Sequence, residues 1–256
     1  KTKGLSKIKA KKSRTHTEIM LKNLKVPIKI KKTKNFDYIQ VKGVNKISPL
    51  YYNIPGDISS SAFFLVLTIL SKNSELLIKN ININPLRTGI IEILKRMGAN
   101  IKIINKKIYK GESVGDILVK SSKNLKSINC PTKYNSSAID EFLVIFLVAA
   151  KSKGISYFKN LSELNHKESP RLKWGAKILK KMGVKTIVTK DSIKIFGNPN
   201  LKNNNKIHIK NYLKDHRIFM MCVIAGLTCG GSWKINDQDS IQTSFPSFLK
   251  ILRKIR

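Results

Sequence analysis

The sequence predicts an α/β fold built from a repeated unit of strands and helices. Three observations carry that prediction. Hydrophobic residues make up 41% of the 256-residue chain, enough for a real core. Strand-like and helix-like stretches alternate along it. Short anchors also recur in the same order: Leu76–Asn80 reads LLIKN and Tyr157–Asn160 reads YFKN, while Arg96-Met97-Gly98 is matched by Lys181-Met182-Gly183.

The amino-terminal stretch reads as a half copy, with strand Leu5–Ala10, loop Lys11–His16, helix Thr17–Leu24 and strand Val26–Lys31. Thr15-x-x-Glu18 has the form of a capping box, which gives Glu18 a structural role. Tyr51–Gly56 (YYNIPG) breaks the pattern with Pro and Gly and is expected to be a hinge between lobes. The first full copy has an apolar helix Ser61–Leu70, strand Leu76–Ile81, loop Asn82–Thr88, helix Gly89–Met97 and strand Ile101–Ile104. The second has helix Ile139–Lys151, strand Ile155–Asn160, loop Leu161–Ser169, helix Arg171–Met182 and strand Thr186–Thr189. The third has helix Arg217–Leu227, strand Ser232–Asn236, loop Asp237–Ser244 and helix Phe245–Lys254. Short strands at Tyr38–Val41, Ile117–Val119 and Ile193–Phe196 lie between copies. A unit of this kind cannot bury its apolar faces alone, so the copies should share one core.

The charge is lopsided: 50 Lys+Arg against 15 Asp+Glu, a net +35. Such a balance first suggests nucleic acid. Yet the arginines are few (Arg14, Arg87, Arg96, Arg171, Arg217, Arg253, Arg256), and arginine is the better tool for bidentate phosphate recognition. The lysines spread along the whole chain rather than forming a stripe, so most of the charge reads as solvated surface. The three cysteines (Cys130, Cys222, Cys229) lie far apart with no CxxC pair, and the four histidines show no HxxxH spacing. Neither a disulfide framework nor a metal site is expected. The longest apolar runs are too short to cross a bilayer. The chain opens at Lys1 in mid-pattern, as a fragment would, and a soluble cytoplasmic setting is expected.

The helix starts are where chemistry is expected. A helix N-terminus is electropositive and is weakened by nearby cations. Here Arg14 precedes Thr17, Arg87 precedes Gly89, Lys167 and Arg171 bracket a start at Ser169 with Pro170 at the first helical position, and Arg217 follows Asp215 as it caps its helix. Cations there are tolerated if an anion is shared between them and the helix end, so several such starts facing one space would hold two or three anionic groups. The alternative is that these arginines point to solvent. Asp140-Glu141 begins a helix that is otherwise apolar all round. These acids serve either the helix dipole or proton transfer in a dry site, and Glu168 beside Lys167 and Arg171 poses the same choice.

At these same positions the sequence resembles the 5-enolpyruvylshikimate-3-phosphate synthase family. The matching stretches are SRTHTEIML (Ser13–Leu21), PGDISSSAFFLV (Pro55–Val66), NPLRTGIIEILKRMGA (Asn84–Ala99), AIDEFLV (Ala138–Val144), ELNHKESPRL (Glu163–Leu172), DHRIFM (Asp215–Met220) and TSFPSF (Thr243–Phe248). They occur in the family's order and cover nearly the whole chain. The resemblance implies a two-lobed α/β protein of repeated βαβαββ units, with residues 1–54 the tail of the first lobe and 55–256 most of the second. It implies transfer of the enolpyruvyl group of phosphoenolpyruvate to the 5-hydroxyl of shikimate 3-phosphate with release of phosphate, in the shikimate pathway to chorismate. No metal or organic cofactor, no specific nucleic acid, no membrane and a monomer are expected.

By the same resemblance Asp140 is the expected proton acceptor and Glu168 its partner in proton transfer, while which carboxylate delivers which proton stays open. Ser13, Arg14, Asp140 and Lys167 are expected to contact shikimate 3-phosphate, and Arg171 and Arg217 phosphoenolpyruvate. Two departures stand out. Pro170 occupies a place where the family usually has Asp or Asn. The amino-terminal part of the family pattern is absent, so this chain alone is expected to turn over little. Two rival readings lack their signatures. The sister transferases acting on UDP-N-acetylglucosamine normally carry a reactive Cys in a Gly-rich mobile loop, which no cysteine here matches. A basic nucleic-acid-binding module lacks its RNP, KH, zinc-finger or Arg/aromatic signatures.

Overall fold

The computed structural model describes residues 3–11 and 13–255. Lys12, within the expected loop Lys11–His16, lies outside the described residues, as do Lys1, Thr2 and Arg256. The chain begins with strand β1 (Leu5–Lys11), helix α1 (His16–Asn23), β2 (Ile28–Lys32) and β3 (Phe36–Lys42), which form an antiparallel sheet in the order β1-β3-β2. No residue of α1 is buried.

Three repeats follow. The first comprises α2 (Ile58–Leu70), β4 (Glu75–Asn82), α3 (Gly89–Arg96), β5 (Asn100–Tyr109) and β6 (Glu112–Lys120). The second comprises α4 (Phe142–Ala150), β7 (Gly154–Phe158), α5 (Arg171–Lys181), β8 (Thr186–Val188) and β9 (Ile193–Gly197). The third comprises β10 (Lys206–Ile209), α6 (His216–Cys229), β11 (Ser232–Ile235) and α7 (Phe248–Lys254). The sheets are β4-β6-β5 and β7-β9-β8, both antiparallel, and the parallel pair β10-β11. Parallel bridges at Gly56–Ile81, Lys126–Lys153 and Asn129–Tyr157 supply the strand that opens the first two repeats, so each unit starts β-α-β.

The first helix of every repeat lies in the middle of the core. α4 (FLVIFLVAA) is apolar on all sides and every residue of it is buried, as are Phe63, Leu65 and Val66 of α2 and Ile218, Met221 and Cys222 of α6. These three helices pack on one another, and one hydrophobic core runs from Ile58 to Leu252. The second helices are one-sided. In α3, Ile90, Ile91, Ile93 and Leu94 face inward while Glu92, Lys95 and Arg96 face out. The matched Met-Gly anchors end α3 and α5 alike. Gly98 and Gly183 take positive φ (91° and 79°), Gly98 N–H bonds Lys95 O while Ala99 N–H bonds Leu94 O, and Gly183 and Val184 repeat this on Lys180 and Leu179.

Four local expectations are corrected, and one strand has no counterpart among them. Thr15 precedes α1 but makes no capping bond; its hydroxyl accepts from Asn84 Nδ2 at 3.1 Å, so the capping box is not formed. Lys11 belongs to β1 rather than to a loop, because it pairs with Phe36. Pro170 is the cap of α5 rather than its first helical residue, since its ψ of 77° is not helical. Asp140 and Glu141 lie just before α4, not in its first turn. Strand β10 (KIHI) was not foreseen: four alternating residues gave little signal until Ser232–Ile235 supplied a partner.

Candidate functional site

The site forms where the starts of the three core helices meet. Asp215 is fully buried and caps α6 by accepting from Arg217 N–H at 3.0 Å. It also accepts from Ser169 Oγ at 2.8 Å and from Arg171 Nε and Nη2 at 2.8 and 3.2 Å. That bidentate pair fixes the Arg171 guanidinium, which is itself buried. Its Nη1 lies 3.5 Å from Asp140 Oδ1. Arg217 donates through Nη1 to the Asp140 carbonyl oxygen at 2.9 Å.

Three cations thus adjoin the Asp140 carboxylate, and Arg217 bonds its carbonyl oxygen. Arg14 Nη2 bonds Asp140 Oδ2 at 2.6 Å across a separation of 126 residues, and Lys167 Nζ lies 3.4 Å from Asp140 Oδ1. Burial alone would push the Asp140 carboxyl up. The Arg217 charge, the hydrogen bond from Arg14 and the Lys167 charge outweigh it and hold the group at about 2. Ser13, Arg14, Leu86, Ser136, Ile139, Asp140, Glu163 and Lys167 line a polar pocket of about 360 Å³ above it. Every residue expected at the site therefore lies in or beside one cleft: Glu168 is also present, 3.6 Å from Arg171 Nη2.

No metal-ligand spacing in the sequence marks His216. It sits in the first turn of α6, mostly buried, with Nδ1 2.9 Å from Glu168 Oε2. Burial depresses its pKa, the Glu168 charge opposes this, and Arg217 adds to the depression. Its position between the capping Asp215 and Arg217 was the available signal. Glu168, Asp215 and His216 each bring a ligand atom within 4.8 Å of the others. Asp215 already serves a guanidinium, a hydroxyl and a helix end, so its carboxylate is not free to ligate a metal ion.

Behind Asp140, Glu141 is buried. Ser59 Oγ donates to its Oε1, and Arg87 Nη2 donates to that same Oγ at 2.8 Å and to Asp57 Oδ1 at 2.9 Å. Asp57 in turn caps α2 through Ser60 N–H at 3.0 Å. Arg87, expected at a helix start, thus serves the start of α2 rather than only that of α3. The cysteines are all buried, and burial pushes the Cys130 thiol up to about 11, which makes it unfit as a nucleophile or acid.

Residues 2–252 match the family model for EPSP synthase (3-phosphoshikimate 1-carboxyvinyltransferase). The chain belongs to the EPSP synthase family. It is 40% identical over 250 residues to the 3-phosphoshikimate 1-carboxyvinyltransferase of Petrotoga mobilis, covering 97% of this chain and 56% of that protein. It is 41% identical over 246 residues to that of Thermodesulfovibrio yellowstonii, covering 96% and 55%. EPSP synthase from Acinetobacter baumannii superposes with a TM-score of 0.87 at 34% identity, over 99% of this chain and 57% of that one. The enolpyruvyl transferase NikO from Streptomyces tendae shares the fold, with a TM-score of 0.76 at 14% identity, over 99% and 56%. The chain spans about 55% of the length of the curated relatives it matches. Among the described residues no helix is long and apolar enough to cross a membrane.

Proposed function

We propose that this chain carries one half of the active site of an enzyme that transfers the enolpyruvyl group of phosphoenolpyruvate to the 5-hydroxyl of shikimate 3-phosphate. The observation that carries the reading is the ring of Arg14, Lys167, Arg171 and Arg217 around Asp140. The two substrates bring two phosphates and two carboxylates, which match four cations at helix starts. Arg14 and Lys167, with Ser13 beside them, hold shikimate 3-phosphate; Arg171 and Arg217 hold phosphoenolpyruvate. Residues 1–54 are the tail of one lobe and 55–256 the bulk of a second, a division supported by the single core spanning Ile58 to Leu252.

In the addition step the 5-hydroxyl oxygen bonds C2 of phosphoenolpyruvate, the hydroxyl loses its proton and C3 gains one. Elimination then breaks the C2–O bond to phosphate and removes a proton from C3. Asp140 takes the hydroxyl proton. Without substrate its cations make it a weak base, but bound phosphates and carboxylates neutralise those cations and raise its basicity when the hydroxyl arrives. Glu168, paired with His216, moves the C3 proton from the opposite side of Arg171. The test is phosphate release from the two substrates by the full-length polypeptide that contains this chain. Substrate-dependent release supports the reading, and release no faster than background overturns it.

A further inference from the structure

We propose that Glu141 is a positioning residue for Arg217 and Asp140, a buried carboxyl whose charge decides how much of the Arg217 guanidinium is free to meet an anionic substrate. This rests on the reading above that Arg217 receives phosphoenolpyruvate. The geometry is a chain of contacts through all three core helices. Arg87 donates to Ser59, Ser59 donates to Glu141, and Glu141 directly follows Asp140, whose carbonyl accepts from Arg217. Ser59 lies in the first turn of α2, Glu141 just ahead of α4 and Arg217 in the first turn of α6. A carboxyl of 3% exposure at that junction has no water to share its charge.

The charges that act on it are Arg217 from α6, Asp140 from its own segment and Arg87 from the loop before α3, which reaches it through Ser59, with Asp57 of the α2 cap behind Arg87. Burial pushes Glu141 up to about 7, against the Arg217 charge and the Ser59 hydrogen bond. It therefore changes charge in the range where the enzyme would work. Ionised, it attracts Arg217 and shields it. Protonated, it leaves Asp140 as the only carboxylate of the pair, and the guanidinium turns its full charge on the substrate.

The experiment compares the full-length polypeptide with its E141Q and S59A variants from pH 5.5 to 8.5. The KM for phosphoenolpyruvate is read as a wild-type to E141Q ratio, which cancels titration of the substrate phosphate and of His216. The ratio is expected to be near 1 at pH 5.5 and to climb about fivefold by pH 8.5, the effect of one added charge near the binding cation. The kcat ratio should follow no such curve. S59A, which removes the hydrogen bond that favours ionised Glu141, should move the inflection to higher pH. A KM ratio that is flat across the range overturns the proposal. Side-chain NMR of the same proteins gives a readout independent of turnover. The Arg217 Nε signal should titrate with a midpoint near 7 in wild type and not in E141Q, and an Arg217 signal indifferent to pH in wild type overturns it too. If wild type releases no phosphate, the functional reading fails while the NMR arm still decides whether Arg217 senses the Glu141 charge.

Discussion

Replacing Asp215 by Ala should be the most damaging single change near the site. Asp215 is fully buried and its two oxygens satisfy Arg171, Ser169 and the start of α6. Breaking a buried ion pair on one side costs about 3–5 kcal/mol, and the low end applies because Asp140 remains 3.5 Å from Arg171. Loss of the helix cap adds about 1 kcal/mol. Leaving the buried Ser169 hydroxyl without its acceptor adds about 1 kcal/mol more. The sum, about 5 kcal/mol, is a large part of the 5–15 kcal/mol typical of a domain. Urea unfolding at pH 7 followed by far-ultraviolet circular dichroism measures it. D215N keeps a cap and an acceptor and should lose about half as much. R171M/D215A should recover stability relative to D215A, since it removes the stranded charge. A D215A protein within about 1.5 kcal/mol of wild type, or a double variant no better than D215A, would show that the pair does not organise the helix starts.

Other outcomes follow from the same geometry. Asp140 titrates at about 2 when folded against 3.8 in the open chain, a depressed value; the resulting stability, about 2 kcal/mol, is present above pH 4 and lost as pH falls toward 2. D140N should flatten that acid limb in urea titrations at pH 2–5. Glu141 behaves with the opposite sign: its raised value of about 7 against 4.5 means stability declines as pH rises between those values and is constant above. E141Q should therefore be more stable than wild type at pH 8, by up to about 3 kcal/mol, and indistinguishable at pH 4. G197A should unfold at markedly lower urea, because a Cβ there would meet Ser152 O at 2.2 Å and Ala149 O at 2.5 Å, both backbone atoms that cannot step aside. K167M should raise KM for shikimate 3-phosphate about tenfold or more with a smaller effect on KM for phosphoenolpyruvate, because a charge-assisted contact is lost from one subsite.

The repeat was legible because its signals are local. Apolar runs such as FLVIFLVAA and the Met-Gly helix ends at 97–98 and 182–183 need no partner to be recognised. Elements defined by a partner were not. Strand β10 exists through β11, and the Thr15 hydroxyl is claimed by Asn84, 69 residues away. The site divides the same way. Charge at helix starts pointed to Arg14, Arg171 and Arg217, since cations there are costly unless used. The same rule named Arg87, whose partners are Asp57 and Ser59. No metal-ligand spacing involves His216, and its partner Glu168 is 48 positions upstream.

The arrangement also explains why four cations can crowd the starts of helices without unfolding them. Three are tied to an acid that belongs to the scaffold or the site, Arg171 to Asp215 and Arg14 and Lys167 to Asp140, while Arg217 leans on a carbonyl. Asp140 therefore stands in for a bound anion when none is present. On the proposed reading, an incoming phosphate would displace Asp140 from Arg14 or Lys167, and the displaced carboxylate would then be free to accept a hydroxyl proton. Binding and activation of the base become one event. If so, inorganic phosphate should raise the pKa of Asp140, read by carboxyl-carbon NMR, in step with its occupancy. An Asp140 signal that ignores saturating phosphate would separate the two events and leave the base strength to be explained by some other group.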